Sequence, residues 1–141
     1  FMGNKSEIYK ALKKNYAMPS TDIGTYKPGE GHPQIAASFP KYFRELVRER
    51  GDLTLAEAVR KATLLPAQTF GFKNKGNIKT GYDADLVILD FDHLLDLADF
   101  PDRGQPDKKP QGIDYVFVQG IAVVEKGVFT GKKPGKILTL D

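Results

Sequence analysis

The sequence predicts an α/β portion followed by a small β portion, and three observations support that prediction. Apolar residues recur at helical spacing through residues 6–16 and 40–65. A short apolar run at residues 16–21 lies between these regions and is typical of a buried strand. Beyond the helices, apolar residues alternate or form continuous β-branched runs, which favours strands, with a tight turn predicted at Gln119 and Gly120 and an irregular segment over residues 93–112. The predicted boundary separates residues 1–72 from residues 73–141.

The helices of the first portion are predicted from their start signals. Ser6 fits the N-cap position of a helix that continues to about residue 16. Pro40 fits the first turn of a second helix, because proline lacks the amide hydrogen that this position does not use. Thr54 and Glu57 form a capping box at the start of a third helix.

The segment after the predicted strand carries the candidate site. Asp22 lies where the apolar run gives way to a loop rich in glycine and proline that ends at His32. A carboxylate in that position can cap a backbone, form a turn or act as a catalyst, and the residues alone leave these alternatives open. Ser20 and Thr21 are better suited to bonding the nearby backbone than to orienting Asp22.

Composition and charge exclude several classes of protein. The 21 basic and 18 acidic residues give a net charge of +3, but the lysines are scattered and form no stripe that would bind nucleic acid. No apolar run approaches the roughly 20 residues that span a bilayer, so we expect no membrane association. The absence of cysteine excludes disulfides and thiolate sites and suits a cytoplasmic location.

Other suggestive residues are predicted to be structural. Asp83, Asp85 and Asp90 flank an apolar strand as turn residues, and His93 is expected on the surface. The stretch GKKPGK at residues 131–136 has three residues between its glycines, where a phosphate-binding loop needs four. We therefore exclude a phosphate loop there.

The strand predicted at residues 16–21 has no parallel neighbour in this sequence. A buried strand needs partners for its backbone groups, and the strands of the second portion are expected to form a separate antiparallel sheet. We therefore expect the chain to be a fragment whose missing N-terminal segment supplies those partners.

Four stretches carry a resemblance to a known family. They are STDIG followed by HP, residues 39–71, residues 76–90 and residues 112–138. The pattern G-x-I-x-x-G-x-x-A-D-L-V from Gly76 to Val87 resembles that of many amidohydrolases. The HP and FP pairs and the G…TG…PG ending resemble more narrowly the N-acyl-D-amino-acid deacylases, or D-aminoacylases, of that superfamily.

The resemblance implies a metal-dependent (β/α)8 barrel joined to a small β-sandwich made from both chain ends. Residues 16–21 would form the last barrel strand, residues 40–70 the closing helices, and residues 73–141 the C-terminal half of the sandwich. The barrel segment absent from this sequence would then be the main partner of the chain.

The resemblance also implies hydrolysis of the amide bond of an N-acyl-D-amino acid or a similar small amide. Asp22 would stand at the C-terminal end of the last strand, where barrel enzymes hold their catalytic groups. The family uses such an aspartate as the base that activates a metal-held water and as the acid that protonates the leaving amine. Asp22 is also the candidate metal ligand of this chain.

The remaining metal ligands of the family have no counterpart here. They come from a His-x-His pair on the first strand, a middle-strand Cys, Glu or modified Lys, and histidines on strands five and six. This chain has two histidines, His32 and His93, and neither has a partner at i+2 or i+4. We expect Zn²⁺ in the full-length enzyme, none in the fragment, and no activity from the fragment alone.

His32 and Pro33 resemble the family's loop over the substrate pocket, which makes His32 a candidate substrate-binding residue. The alternative is an ordinary surface turn. The family more commonly has HPR, and Gln34 stands where the arginine would be. A cationic contact with the substrate carboxylate is therefore not carried over.

Two other functions stay open. The chain could be a non-catalytic accessory module whose exposed sheet edges favour self-association into a homo-oligomer. It could also belong to an amidohydrolase of cyclic amides such as hydantoins or dihydropyrimidines, since those enzymes share the C-terminal motifs.

Overall fold

The computed structural model describes residues 3–22, 24 and 26–139. In these residues, helices occupy the first half and one antiparallel sheet, in the order β1-β2-β3-β4, occupies the second. The helices are α1 (Lys5–Leu12), α2 (Gln34–Phe43), a π-helical continuation (Arg44–Glu49), α3 (Leu55–Ala62) and α4 (Leu64–Thr69). The strands are β1 (Leu86–Leu89), β2 (Ile113–Val118), β3 (Ile121–Glu125) and β4 (Val128–Phe129). Within those described ranges, no helix is both long enough and apolar enough to cross a bilayer.

The helix starts confirm one sequence prediction and correct two. The Thr54 and Glu57 capping box is present at α3, with each side chain accepting from the other residue's backbone N–H. At α1 the N-cap is Asn4, whose side chain accepts from the Ser6 N–H, so Ser6 lies inside the first turn. Pro40 was expected in a first turn but lies inside α2, which begins at Gln34.

The strand predicted at residues 16–21 is absent from the described structure. Residues 13–16 form a turn after α1, and residues 17–22 belong to no helix or strand. A strand exists only where another strand bonds to its backbone, and no described strand of this chain lies beside this segment. The hypothesis that its partners lie in another part of the protein stays a prediction.

The core of the helical half lies between α2 with its π-helical continuation and α3. Tyr42, Leu46, Leu53 and Ala58 form the buried cluster, and Leu46 is only 1% exposed. Tyr9 and Leu12 of α1 pack against this cluster from one side. The three helical regions are therefore joined by one small apolar centre.

Arg48 ties the helical half to the chain that follows β1. Its guanidinium donates to the backbone carbonyls of Phe91, Asp92 and Leu94 at 2.7, 2.8 and 2.7 Å. A guanidinium presents its donors in a fixed fork, so three carbonyls on one arginine fix the local backbone. Leu94, 1% exposed, is buried beside this contact.

The hairpin between β2 and β3 is as predicted. Gln119 and Gly120 have φ values of 51° and 73°, which are the left-handed conformations that a type I′ turn requires. In the described residues, β1 and β4 each pair on one side only, and Val87 and Ile88 of β1 are more than half exposed. The sheet thus has two open edges.

Glu45 gives the protein a predicted acid sensitivity. Burial raises the pKa of this carboxyl, but hydrogen bonds from the Tyr9 hydroxyl and from Lys5 Nζ, the latter at 3.2 Å, outweigh burial and leave the pKa below its usual 4.5. A pKa that is lower in the folded state contributes stability above the unfolded value and loses it as pH falls through the folded value.

We therefore expect the urea midpoint to fall less between about pH 6 and pH 3 in Glu45→Gln than in the wild-type protein. Glu7→Gln is the control, because the Glu7 carboxylate is exposed and pairs with Lys10 on the surface of α1. Equal acid losses in wild type and Glu45→Gln would contradict the assigned role of Glu45.

Candidate functional site

Asp22 lies on the surface at the start of the loop that leads to α2. We call this loop, residues 22, 24 and 26–33, the candidate loop. Its φ of 49° is left-handed, a conformation that aspartate tolerates better than most residues. Its carbonyl oxygen accepts a 2.6 Å hydrogen bond from Gln34 Nε2. The side chain is exposed, and no hydrogen bond joins its carboxylate to another described residue. The backbone at Asp22 is therefore anchored, and its carboxylate is exposed and without a hydrogen-bond partner among the described residues.

The half-exposed ring of Tyr26 packs against two glycines of the loop. A Cβ on Gly31 would lie 2.7 Å from Tyr26 Cγ, and one on Gly24 would lie 3.1 Å from the Tyr26 hydroxyl. Gly31 also has a φ of 95°. Gly24 and Gly31 are thus explained by close approach to one aromatic ring.

His32 is exposed next to α2, and its ring has two partners, the backbone N–H of Gln34 and the ring of Phe100. Nδ1 accepts a 3.1 Å hydrogen bond from the backbone N–H of Gln34. A neutral imidazole that accepts at Nδ1 carries its proton on Nε2. The ring meets Phe100 edge to face, with 4.7 Å between centroids and an interplanar angle of 82°. His32 can therefore present an Nε2 donor to a ligand.

Gln34 bonds to both candidate residues, Asp22 and His32, and the sequence does not indicate these contacts. Its side chain holds the Asp22 carbonyl, and its backbone N–H holds the His32 ring. In the sequence it appeared only as a departure from HPR. Nothing in the local pattern indicates that its amide reaches back twelve residues.

Asp85, Asp90 and His93 lie where the sequence predicts, exposed and beside the ends of the sheet strands. His93 Nδ1 lies 2.8 Å from Asp90 Oδ2 on the surface, and this hydrogen bond lowers the pKa of the Asp90 carboxyl. Asp85 accepts from Gln119 N–H at 2.8 Å and pairs with Lys75, whose hydrogen bond lowers the Asp85 pKa. These groups stabilise the sheet and its turns and take no part in the loop site.

The residues of this chain do not fit a complete metal centre. In the part of the chain that the structure describes, no three His, Asp or Glu side chains come together in an arrangement that could hold a metal ion. Asp22 and His32 are joined through Gln34, and the Nδ1 of His32 is already an acceptor for a backbone amide. The site is thus a carboxylate and an imidazole on an anchored loop.

Comparison with known proteins assigns the chain to a family. The family model "Amidohydrolase family" matches residues 18–123, which include Asp22, His32, strands β1 and β2 and the start of β3. The chain therefore belongs to the amidohydrolase family.

Its relatives include the D-aminoacylase of Alcaligenes xylosoxydans xylosoxydans, which is 32% identical over 138 residues, 98% of this chain and 28% of that protein. A crystal structure of D-aminoacylase superposes with a TM-score of 0.83 at 32% identity, covering 94% of this chain and 27% of that one. The N-acyl-D-glutamate deacylase of Bordetella bronchiseptica, solved with zinc and a phosphonate mimic of the tetrahedral intermediate, superposes with a TM-score of 0.75 at 30% identity, covering 85% and 24%.

These findings confirm the resemblance to D-aminoacylases. They also confirm that the helices and the antiparallel sheet have the arrangement found in D-aminoacylase chains. The chain spans about 28% of the length of the D-aminoacylase it matches.

Proposed function

We propose that this chain is the C-terminal part of a metal-dependent hydrolase that cleaves the amide bond of N-acyl-D-amino acids. The observation that carries the proposal is the similarity to D-aminoacylase over 98% of the chain, with the anchored loop of Asp22 inside the matched region. In this proposal residues 16–21 become the last strand of a (β/α)8 barrel once its neighbours are present. Residues 40–70 close the barrel, and residues 73–141 contribute half of a β-sandwich.

Asp22 is the proposed general base and acid. Its carboxylate accepts a proton from the attacking water as the water oxygen bonds to the amide carbonyl carbon. The same proton then passes to the amide nitrogen as the C–N bond breaks, which releases a carboxylic acid and an amine; the acid then loses its proton, which the amine takes up. An exposed carboxylate on an anchored backbone suits both steps, because it is accessible to substrate while Gln34 holds the backbone that carries it.

His32 is the proposed substrate-binding residue. Nδ1 of this ring accepts from Gln34 and the ring packs against Phe100, while its Nε2–H has no partner among the described residues, so it can bind the carboxylate or the acyl oxygen of the substrate. Asp22 is the candidate metal ligand of this chain. In this proposal the other metal ligands come from the part of the protein outside residues 1–141.

The test is amine release by the whole protein that contains this chain, with N-acetyl-D-amino acids, their L-enantiomers and a dihydropyrimidine as substrates. We expect release of amine from the D-substrates and none from residues 1–141 alone. Hydrolysis of the dihydropyrimidine only would instead support the cyclic-amide alternative. A whole protein that hydrolyses none of these substrates, with or without added zinc, would contradict the proposal and favour a non-catalytic module.

A further inference from the structure

A segment between two strands of the sheet, more than sixty residues further along the chain, contacts the candidate loop. We define the bridging segment as residues 95–111, between β1 and β2. Leu95 and Gln111 close its base by exchanging backbone hydrogen bonds of 3.2 and 3.0 Å. Asp96, at the start of the segment, pairs with the guanidinium of Arg44, and Arg48 holds the Leu94 carbonyl just before it. The base of the segment is thus fixed to the π-helical continuation of α2.

The interior of the bridging segment is also ordered. Pro106 is less than 2% exposed, although most residues around it are exposed. The Asp99 N–H donates to the Gln105 carbonyl at 3.1 Å, and the Phe100 N–H donates to the Asp99 carboxylate at 2.8 Å. These two hydrogen bonds fix the backbone at Asp99 and Phe100.

Two groups of the bridging segment contact the candidate loop. The ring of Phe100 meets the ring of His32 edge to face at 4.7 Å. Asp107 Oδ2 accepts a 2.9 Å hydrogen bond from the N–H of Gly29, 78 residues earlier in the sequence. One contact acts on the side chain of His32, and the other acts on the backbone three positions before it.

From these contacts we infer that Phe100 and Asp107 are positioning residues for the proposed substrate-binding residue His32. Nδ1 of the imidazole is bound to the backbone N–H of Gln34, and the ring of Phe100 packs against the imidazole, so both contacts restrict its rotation. The Asp107 carboxylate limits displacement of the loop, because it fixes the glycine whose φ is 82°. The Nε2 donor is thereby held in one direction before a substrate arrives, which lowers the ordering cost of binding. This inference rests on the proposed function of His32.

The kinetic test uses the whole protein with an N-acetyl-D-amino acid. Phe100→Ala is expected to raise KM about three- to tenfold and to leave kcat within about twofold, while Phe100→Tyr, which keeps the ring, restores the wild-type KM. Asp102→Ala is the control, because Asp102 is an exposed residue of the same segment. An unchanged KM in Phe100→Ala, or equal effects of Phe100→Ala and Phe100→Tyr, would overturn the role of Phe100.

A second measurement needs no substrate and so separates this inference from the proposed function. Hydrogen exchange of a peptide that contains Gly29 is expected to be about fivefold faster in Asp107→Ala than in the wild-type protein. Asp107→Asn keeps an oxygen acceptor and should restore slow exchange, and Asp102→Ala should not change it. Equal exchange in wild type and Asp107→Ala would overturn the role of Asp107 whether or not the protein hydrolyses an amide.

Discussion

Asp22→Asn is expected to lower kcat of the whole protein toward an N-acyl-D-amino acid by about 10³-fold, with little change in KM. The amide of asparagine has nearly the shape of the carboxylate but cannot take up the proton of the attacking water. It also cannot return a proton to the leaving nitrogen, so both proton transfers lose their carrier. The fold should be unaffected, because Gln34 bonds to the backbone of residue 22 and not to its side chain.

The matched control for this variant is Asp102→Asn, which makes the same chemical change at an exposed aspartate of the bridging segment. We expect wild-type kcat and KM from the control. Circular dichroism and the urea midpoint should be the same for both variants and the wild type. If Asp22→Asn kept kcat within tenfold of the wild type, Asp22 would not be the general base.

The second large effect is expected at Gly76, which opens the motif shared with amidohydrolases. Gly76 has a φ of 75°, and a Cβ there would lie 2.7 Å from the Thr63 carbonyl oxygen and 2.9 Å from Leu64 Cα. Both neighbours are backbone atoms at the start of α4, so they cannot rotate away. The glycine therefore lets the chain that leads to the sheet pass directly against the end of the helical region.

Gly81 is a matched control within the same motif. It has a φ of 86°, but a Cβ there would meet no atom within 4 Å. Gly81→Ala is expected to lower the free energy of unfolding by about 1 kcal/mol from left-handed strain, and Gly76→Ala by about 3 kcal/mol because overpacking adds to that strain. Urea unfolding of both variants measures the difference. Equal losses would show that the close approach between Gly76 and Thr63 does not exist.

The features that the sequence predicted correctly depend on residues close together in the chain. The capping box of Thr54 and Glu57 spans three residues, and the turn at Gln119 and Gly120 needs only two. Both have a local physical cause that is visible in the residue types. Asp22 and His32 are candidates only through the resemblance, because the local context of Asp22 alone favours a turn or cap residue and that of His32 also fits a surface turn.

The contacts that hold the candidate loop, and those that hold the chain leading into the bridging segment, could not be predicted because their partners are distant in sequence. Arg48 donates to backbone carbonyls more than forty positions away. Every residue has a backbone carbonyl, so the residue types at those positions do not indicate the contact. Phe100 contacts His32 from a segment that the sequence indicates only as irregular. The predicted start of α2 is wrong for a different reason. The prediction places Pro40 in the first turn, but α2 begins at Gln34 and contains Pro40 in its interior.

The most direct test of the account is a crystal structure of the whole protein with a phosphonate analogue of the N-acyl-D-amino acid bound. We predict a carboxylate oxygen of Asp22 within about 3.2 Å of a phosphonate oxygen, with residues 16–21 paired to a neighbouring parallel strand. An Asp22 side chain turned to bulk solvent far from the phosphonate, with residues 16–21 still unpaired, would contradict the account.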